Sequence, residues 1–332
     1  MSNQAVSLSV LDLCPVPQGA TPAQALSNAM ALAQYAESLG YRRYWVAEHH
    51  NMTGIASAAT SVVMGYLAAG TSRIRIGSGG IMLPNHAPLQ IAEQFGTLES
   101  LYPGRIDLGL GRAPGTDQAT AQALRHGRGD GSDFPQMLDE LRRLFAEPQP
   151  GQRLQAVPGA GLKVPIWLLG SSTFSAQLSA ELGLPFAFAG QFSPDFMFSA
   201  LRTYREHFQP SESLTQPHVM LGINAYVGES REHAAMLATS HQQAFLNLIR
   251  GRPGPLPPPV DDMEPLWQPH EKHSVLSTLA GTLIGDKETV SQQLADLLER
   301  TGADELIVSS SIHDQALRKD SYQRMMEVAG KV

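Results

Sequence analysis

The sequence has one cysteine, no excess of positive charge and no long hydrophobic run. Each of these absences excludes a class of protein. With Cys14 as the single cysteine, the chain can form no internal disulfide and offers no cysteine set for zinc. The net charge of −7 disfavours nucleic acid or an anionic membrane as a partner. No stretch of about 18 apolar residues could span a membrane, and residues 1–10 do not resemble a secretory signal. We therefore expect a cytoplasmic protein.

Short β-type runs alternate with helical runs, which is typical of a parallel sheet covered by helices. The predicted strands are Ser7–Leu13, Tyr44–Ala47, Ile74–Leu83, Ile106–Leu110, Ile166–Leu169, Pro185–Phe188, Val219–Val227 and Leu306–Ser309. The predicted helices are Thr21–Leu39, Ala58–Ala69, Leu89–Leu101, Met137–Phe145, Thr173–Leu182, Asp195–Phe208, Arg231–Ile249, Glu288–Arg300 and Leu317–Val328. Eight such units favour one α/β domain over residues 1–332, a single (β/α)8 TIM barrel, rather than an open doubly wound sheet.

A typical barrel of this kind needs about 250 residues, so the remaining residues are expected as insertions. They fall after the fourth strand, in Ala113–Asp133 and Pro148–Val164, and between the seventh and eighth helices, in the proline-rich Gly251–Gly285. Loops of this length are usually functional or disordered. We hypothesise that Gly251–Gly285 is a lid over the barrel mouth, with Leu266 and Trp267 as its apolar underside. A passive surface excursion and part of a subunit interface are the alternatives.

Two neighbouring loops suggest a phosphate site, because function in such barrels lies on the loops that follow the strands. Gly170, Ser171, Ser172 and Ser175 lie around a helix N-terminus, where backbone N–H groups and the helix dipole favour an anion. Arg112 leaves the adjacent strand and can add a charge-assisted hydrogen bond. Separately, each feature has an ordinary explanation, a serine that only caps the helix or a surface arginine. Together they favour an anion.

Glycines are dense around the end of the fourth strand. Gly109 and Gly111 do not begin a dinucleotide fingerprint, because the third glycine position is occupied by Pro114. Bare backbone at such a place suggests instead that a flat ligand lies against it.

His49 and His50 follow the second strand and Glu48. A histidine there can act as an acid, a base or a hydrogen-bond donor near neutral pH. No metal is expected, since no His-x-x-x-His or carboxylate-rich set lies nearby and adjacent residues of an extended segment point to opposite sides. The alternative is a core histidine satisfied by Glu48.

These loops, in this order, resemble those of the luciferase-like monooxygenases, and the resemblance covers nearly the full chain. The most specific matches are the runs 47–50 (AEHH), 77–84 (GSGGIMLP) and 104–112 (GRIDLGLGR). The opening run 8–17 and the run 112–117 resemble a subgroup of uncharacterised bacterial members.

The resemblance implies a (β/α)8 barrel that binds reduced FMN or, in some branches, a deazaflavin. By position, Gly79 and Gly80 correspond to a non-proline cis peptide beneath the flavin ring. Arg112 corresponds to the phosphate-binding arginine, and the phosphate loop corresponds to Gly170, Ser171, Ser172 and Ser175.

The same resemblance assigns the catalytic role to the histidine pair. His49 corresponds to the histidine implicated in the flavin–oxygen chemistry, with His50 beside it. Gly111, Ser171 and Gly190 stand where the luciferase α chain has cysteine, glutamate and tryptophan. Light emission from a long-chain aldehyde is therefore not expected, and the less acidic phosphate pocket suits FMN.

The leading hypothesis is a two-component monooxygenase, in which a separate flavin reductase supplies reduced FMN and a small organic substrate is oxygenated. Family members are commonly homodimers. A deazaflavin-dependent hydride-transfer enzyme and a non-catalytic flavin-binding protein are the alternatives on the same barrel. An aldolase or isomerase barrel would need an active-site lysine or carboxylate pair, which the strand ends do not offer.

Overall fold

The computed structural model describes residues 6–125 and 130–331. The ten strands in these stretches are β1 (Ser7–Asp12), β2 (Arg43–Val46), β3 (Arg75–Ser78), β4 (Ile81–Met82), β5 (Ile106–Gly111), β6 (Ile166–Gly170), β7 (Phe186–Phe188), β8 (Val219–Val227), β9 (Leu283–Gly285) and β10 (Glu305–Ser309). Eight of them form a parallel barrel in the order β1-β2-β3-β5-β6-β7-β8-β10, which closes because β10 pairs with both β8 and β1. The predicted (β/α)8 barrel is confirmed.

Eleven α-helices of the described residues surround and extend this barrel. They are α1 (Pro22–Leu39), α2 (Thr60–Ala69), α3 (Pro88–Leu101), α4 (Gln118–Arg125), α5 (Phe134–Phe145), α6 (Thr173–Glu181), α7 (Met197–His207), α8 (Arg231–Ile249), α9 (Pro269–Thr278), α10 (Lys287–Thr301) and α11 (Gln315–Ala329). No helix within 6–125 or 130–331 has both the length and the apolar character needed to cross a bilayer.

Local capping sets the helix ends, as α1 shows. Thr21 and Gln24 form a reciprocal capping box: the Gln24 N–H donates to Thr21 Oγ1 over 3.3 Å, and the Thr21 N–H donates to Gln24 Oε1 over 2.8 Å. Gly40 ends the helix in the left-handed conformation, with φ of 91°. These groups satisfy backbone donors and acceptors that the helix itself leaves free.

The inside of the barrel is filled by side chains. At the end where the strands begin, the buried Arg43 lies 2.7 Å from Asp107 and 2.9 Å from Glu305. Such pairing is what allows charges to be buried. Trp45 and Trp167 lie deeper in the barrel, with ring centroids 5.4 Å apart and edge to face. The interior is therefore closed, and a ligand has to bind at the mouth, where the strands end.

The long insertions contain structure that the sequence analysis missed. Ala113–Asp133 contains α4, and Gly251–Gly285 contains α9 together with β9. The first turn of α9 has a local signal, a capping box between Gln268 and Glu271 with Pro269 at its first position. Its many prolines nevertheless made the segment resemble a loop. The three-residue β9 exists because it pairs with the far end of β8, which no local pattern reveals.

The third predicted strand, Ile74–Leu83, is interrupted in the structure. It divides into β3 and β4, with Gly79 and Gly80 between them. A Cβ atom at Gly79 would lie 2.6 Å from Leu11 Cδ1, and one at Gly80 would lie 2.8 Å from the Gly109 carbonyl oxygen. Side chains do not fit at either position, because the neighbouring strands already occupy the space.

The glycines of β5 are also explained by close packing. A Cβ atom at Gly109 would lie 2.1 Å from the Ser78 carbonyl oxygen, and one at Gly111 would lie 2.8 Å from Met82 Sδ. The absent side chains therefore let β3 and β4 approach β5. The bare-backbone interpretation of these two glycines is not needed to explain them.

Candidate functional site

Glu48 lies at the centre of a hydrogen-bond cluster at the barrel mouth. It follows β2 and is 1% exposed. The His50 Nε2 atom lies 2.8 Å from its carboxylate, the His86 Nε2 atom lies 3.0 Å away, and the Met82 N–H donates over 2.9 Å. The Asn85 amide adds a fourth contact at 3.2 Å. One buried carboxylate thus joins the loops that follow β2 and β4.

The ionisation of Glu48 follows from these contacts. Burial alone would raise its pKa, but the hydrogen bonds from His50, His86 and Met82 outweigh burial and lower the pKa to about 2. The carboxylate is therefore charged at neutral pH and keeps its four donors in place.

His49 differs from its neighbour in a way that matters for chemistry. Its Nδ1 atom is buried and has no hydrogen-bond partner among residues 6–125 and 130–331. Burial lowers the pKa of His49 below its ordinary value, and the charge of Glu48 opposes this only in part. The imidazole is consequently neutral near pH 7, with a ring nitrogen available to a ligand or a reacting group.

The structure thus separates the two histidines that the sequence placed together. His50 has the satisfied environment beside Glu48 that was one alternative for both, whereas His49 has a free ring nitrogen. His86, which the sequence analysis did not select, joins them through Glu48. Its available signal was its position directly after the third predicted strand, on the same edge of the sheet as His49.

The first helical turn of α6 is open to an anion. Ser172 is its N-cap residue, but its side chain makes no capping hydrogen bond. The hydroxyl groups of Ser171, Ser172 and Ser175 have no hydrogen-bond partner in the described parts of the chain. The interpretation that a serine only caps this helix therefore fails, and the first backbone N–H groups of α6 remain available.

Arg112 reaches the same place from β5. Its guanidinium carbon lies 4.3 Å from the ring centroid of Phe174, the second residue of α6. Within the described residues, Arg112 forms no ion pair with a carboxylate. Stacking on an aromatic ring holds the guanidinium beside the helix N-terminus while its N–H donors stay free.

The peptide bond between Gly79 and Gly80 is cis, as the resemblance predicted. This bond lies at the end of β3, between the Glu48 cluster and β5. Arg112 follows β5, and α6 follows the neighbouring strand β6. The predicted cofactor residues therefore occupy one continuous side of the mouth.

The insertion after β5 holds the histidine segment by hydrogen bonds. The His50 N–H donates to the Gly115 carbonyl over 3.3 Å, and the Thr116 hydroxyl donates to the His50 carbonyl over 2.8 Å. The Asn51 amide donates to the Thr120 hydroxyl over 3.0 Å. Part of this insertion is therefore a wall of the site.

The insertion Gly251–Gly285 contacts the loop that follows β1. The Leu256 N–H donates to the Val16 carbonyl over 2.8 Å, and the Gln18 N–H donates to the Leu256 carbonyl over the same distance. Val16 and Gln18 belong to the loop after β1, so the chain that leaves α8 reaches a part of the rim two strands from β8, with only β10 between β8 and β1. Trp267 is 9% exposed and packs with Leu246, Met263 and Val275, whereas Leu266 is 39% exposed and is not in this cluster.

Among residues 6–125 and 130–331, no group of three or more His, Cys, Asp or Glu side chains is arranged to hold a metal ion. The groups available at the mouth are the uncapped first turn of α6 with Arg112 beside it, a neutral imidazole and a set of uncharged polar groups.

Comparison of the sequence with known proteins gives a consistent match. A family model described as luciferase-like monooxygenase matches residues 7–305. A luciferase-like monooxygenase of Escherichia coli strain K12 is 52% identical over 329 residues, which cover 99% of this chain and 98% of that protein. An N-acetyl-S-alkylcysteine monooxygenase of Bacillus subtilis strain 168 is 32% identical over 329 residues, which cover 97% and 98%.

Solved structures agree with the sequence comparison. The crystal structure of apo-MsnO8 superposes with a TM-score of 0.86 at 35% identity, over 97% of this chain and 98% of that one. The oxygenating constituent of 3,6-diketocamphane monooxygenase from Pseudomonas putida, in complex with FMN, has a TM-score of 0.71 at 17% identity, over 99% of both chains. An F420-dependent secondary alcohol dehydrogenase has a TM-score of 0.65 at 15% identity, over 98% and 99%. The last two show a shared fold.

Proposed function

The chain belongs to the luciferase-like monooxygenase family, and on that premise we propose that it binds reduced FMN and uses O2 to oxygenate a small organic substrate. Family membership makes it a flavin-dependent oxidoreductase. FMN is supported by the fold neighbour that contains it. Reduced flavin would supply the two electrons that the reaction with O2 needs. The protein has to position the flavin and exclude water from it.

The observation that carries FMN is the open N-terminus of α6 with Arg112 beside it. In this proposal the FMN phosphate accepts hydrogen bonds from the first N–H groups of α6, from Ser171, Ser172 or Ser175, and from Arg112. The Gly79–Gly80 backbone then supports the flavin ring. Residues of this kind suit a phosphate dianion and a flat ring.

His49 is the residue we propose for proton handling. Its buried, unpartnered Nδ1 atom can accept a proton from the substrate or donate a hydrogen bond beside the flavin. His50 and His86 hold the Glu48 carboxylate, and the Glu48 cluster fixes the segment on which His49 lies. In this proposal His50 is a positioning residue, which holds the Glu48 carboxylate and does not take part in the chemistry itself.

A separate flavin reductase supplies the reduced FMN in this proposal, which is consistent with a sequence that contains no nicotinamide fingerprint. The alternative is a deazaflavin that transfers hydride, which the F420-dependent fold neighbour supports. A non-catalytic flavin binder is the other alternative, and the neutral His49 argues against it.

The proposed function is tested by ¹⁸O incorporation. Purified protein, FMN, NADH and a flavin reductase are incubated under ¹⁸O2 with a panel that includes N-acetyl-S-alkylcysteines, since one relative is named for acting on them. We expect one ¹⁸O atom in a product that forms only with FMN. Substrate turnover that needs reduced F420 and proceeds without O2 would support the hydride-transfer alternative, and FMN binding without any turnover would support the binder.

We also propose that the segment Gly251–Gly285 acts as the lid. Its backbone is anchored at Leu256 to the loop after β1, and Trp267 packs with Leu246, Met263 and Val275 between α8 and α9. A lid excludes water from the reduced flavin and so limits the wasteful formation of hydrogen peroxide.

The lid proposal predicts an effect at Leu256, which is 4% exposed, but not at Leu266 on the same segment. Leu256→Asp buries a charge at the anchor and should release the segment, so that a larger share of the electrons from NADH appears as hydrogen peroxide. Leu266→Asp is the matched control. FMN should also protect the Arg250–Gly251 bond from trypsin in the wild type. Equal peroxide yields for the two variants would contradict the lid.

We further propose that the protein is a cytoplasmic homodimer. Val62 and Tyr66 lie one turn apart on α2 and are 71% and 46% exposed, and Leu101 at the end of α3 is 63% exposed. An apolar surface of this kind is typical of an interface. A monomer in analytical ultracentrifugation at micromolar concentration would contradict the dimer.

A further inference from the structure

The side chain of Gln191 places a buried oxygen atom, which has no hydrogen-bond partner among the described residues, inside the barrel. Its side-chain oxygen, Oε1, is buried and makes no hydrogen bond within the described residues. A Cβ atom at Gly222 would lie only 2.1 Å from this oxygen. Gly222 lies two residues after Met220 and therefore on the same face of β8, and Met220 packs in the barrel interior. The glycine at 222 therefore makes the space into which the Gln191 amide extends.

Asn224 fixes the loop that carries Gln191. It lies two residues after Gly222 on the same face of β8, and it is 2% exposed. Its side-chain amide donates to the backbone carbonyl of Gln191 over 2.6 Å. This bond holds the backbone at Gln191, and with it the direction of the side chain.

Thr282 supplies a second unpartnered group at the same level. It comes directly before β9, whose Leu283 pairs with Ala225, so Thr282 lies beside Asn224. Its Oγ1 atom is buried and, like Gln191 Oε1, has no hydrogen-bond partner in the described chain. Buried polar atoms are rarely left without a partner, and those that are usually face water or a ligand.

The barrel order places these groups across the mouth from the cis peptide. Among the eight barrel strands, β3 is the third and β8 the seventh, so they lie opposite each other. A flavin ring that rested on Gly79–Gly80 at the end of β3 would leave the β8 side of the mouth open. That is the side on which a substrate has to bind in order to meet the flavin.

We propose that Gln191 and Thr282 form a substrate subsite for an uncharged amide, with Asn224 as its positioning residue. The inference rests on the proposed function, because the flavin defines the substrate side. Gln191 Oε1 accepts the N–H of the amide, and the Thr282 hydroxyl donates to its carbonyl oxygen. Both groups are neutral. His241 on α8, whose ring centroid lies 6.1 Å from that of Tyr226 on β8, is neutral as well at pH 7, because burial lowers its pKa to about 4.

The test compares two probes with the same hexyl and acetyl groups, N-hexylacetamide and N-hexyl-N-methylacetamide, in which a methyl group replaces the N–H hydrogen. Binding to the full chain is measured by calorimetry, with and without FMN. The wild type should bind the secondary amide about three- to tenfold more tightly, as expected for one hydrogen bond. In Gln191→Met the ratio should fall to about one, because methionine fills the same space without an acceptor.

Thr282→Val and Gln155→Met complete the set. Thr282→Val should weaken both amides equally, since both have the carbonyl group that Thr282 binds. Gln155 is exposed and distant in sequence from the mouth strands, so Gln155→Met should keep the wild-type ratio. The melting temperature of Gln191→Met should be unchanged or higher, because the substitution removes a buried atom that lacks a partner.

Several outcomes would overturn the subsite. These are no binding of either amide, equal binding of the two by the wild type, and an unchanged ratio in Gln191→Met. A loss of FMN affinity in Gln191→Met would show that this residue binds the flavin instead. If the chain bound no FMN at all, the proposed function would fail, while the amide ratio measured without FMN would still decide the subsite.

Discussion

Replacing Arg112 by alanine should weaken FMN binding about ten- to a hundredfold. A charge-assisted hydrogen bond contributes about 1.5–3 kcal/mol, and each 1.4 kcal/mol corresponds to about a tenfold change in affinity. Arg112 is held on Phe174 beside the open end of α6 and pairs with no described carboxylate, so its donors are available to the phosphate. Fluorescence titration of FMN into each variant measures the effect.

Riboflavin separates a phosphate contact from general damage to the site. It lacks the phosphate, so its affinity should be nearly the same in the wild type and in Arg112→Ala. Arg112→Lys should lie between the two for FMN, because it keeps the charge but loses the planar set of donors. Arg153→Ala, at an exposed loop position, serves as the matched control. An equal loss for FMN and riboflavin would remove Arg112 from the phosphate site.

Replacing His49 by alanine should slow substrate oxygenation by about a hundred- to ten-thousandfold, the usual effect of losing a general acid or base. FMN affinity should stay within about threefold of the wild type, because His49 is not proposed to bind the phosphate. His207→Ala, on the exposed surface of α7, is the matched control. Single-turnover oxygenation with reduced FMN measures the chemical step without the reductase. Oxygenation as fast as in the wild type would remove His49 from the chemistry.

The pH profile should identify the active form of His49. Burial lowers its pKa from the ordinary value of 6.5, so the neutral imidazole predominates at pH 7 and above. The rate should therefore be flat above about pH 7 and fall only when His49 becomes protonated, below its ordinary pKa. Stability changes in the same direction, because the unfolded chain binds the proton more readily and acid therefore stabilises the unfolded chain relative to the folded one. His49→Ala should lose this acidic limb of the rate profile.

Much of the fold follows from signals only a few residues long. The capping box of α1 joins Thr21 to Gln24, and the left-handed glycines at 40 and 302 end their helices. Alternation of such units, with eight buried strands, favours a closed barrel because parallel strands need helices on their outer face. The cis bond at Gly79–Gly80 was also predicted, but from resemblance rather than from the physics of the residues.

The candidate site was predicted only in outline. The sequence selected His49, Arg112 and the α6 serines, each from its position after a predicted strand. The residues themselves gave no reason to distinguish His49 from His50, since both lie in the run that follows Glu48, and only the resemblance singled out His49. His86 and Gln191 were not selected, because their roles depend on contacts with residues far away in the chain.

The sequence by itself determined the family and the order of the main barrel strands and helices, because each of these depends on neighbouring residues or on a run of matching ones. Tertiary structure alone decided which polar atoms are satisfied. Glu48 meets His86 across 38 positions of the chain, and β9 forms only against the distant end of β8. Hydrogen bonds act over about 3 Å, whereas sequence separation does not fix distance once the barrel closes. The free nitrogen of His49 and the inward amide of Gln191 are therefore consequences of closure.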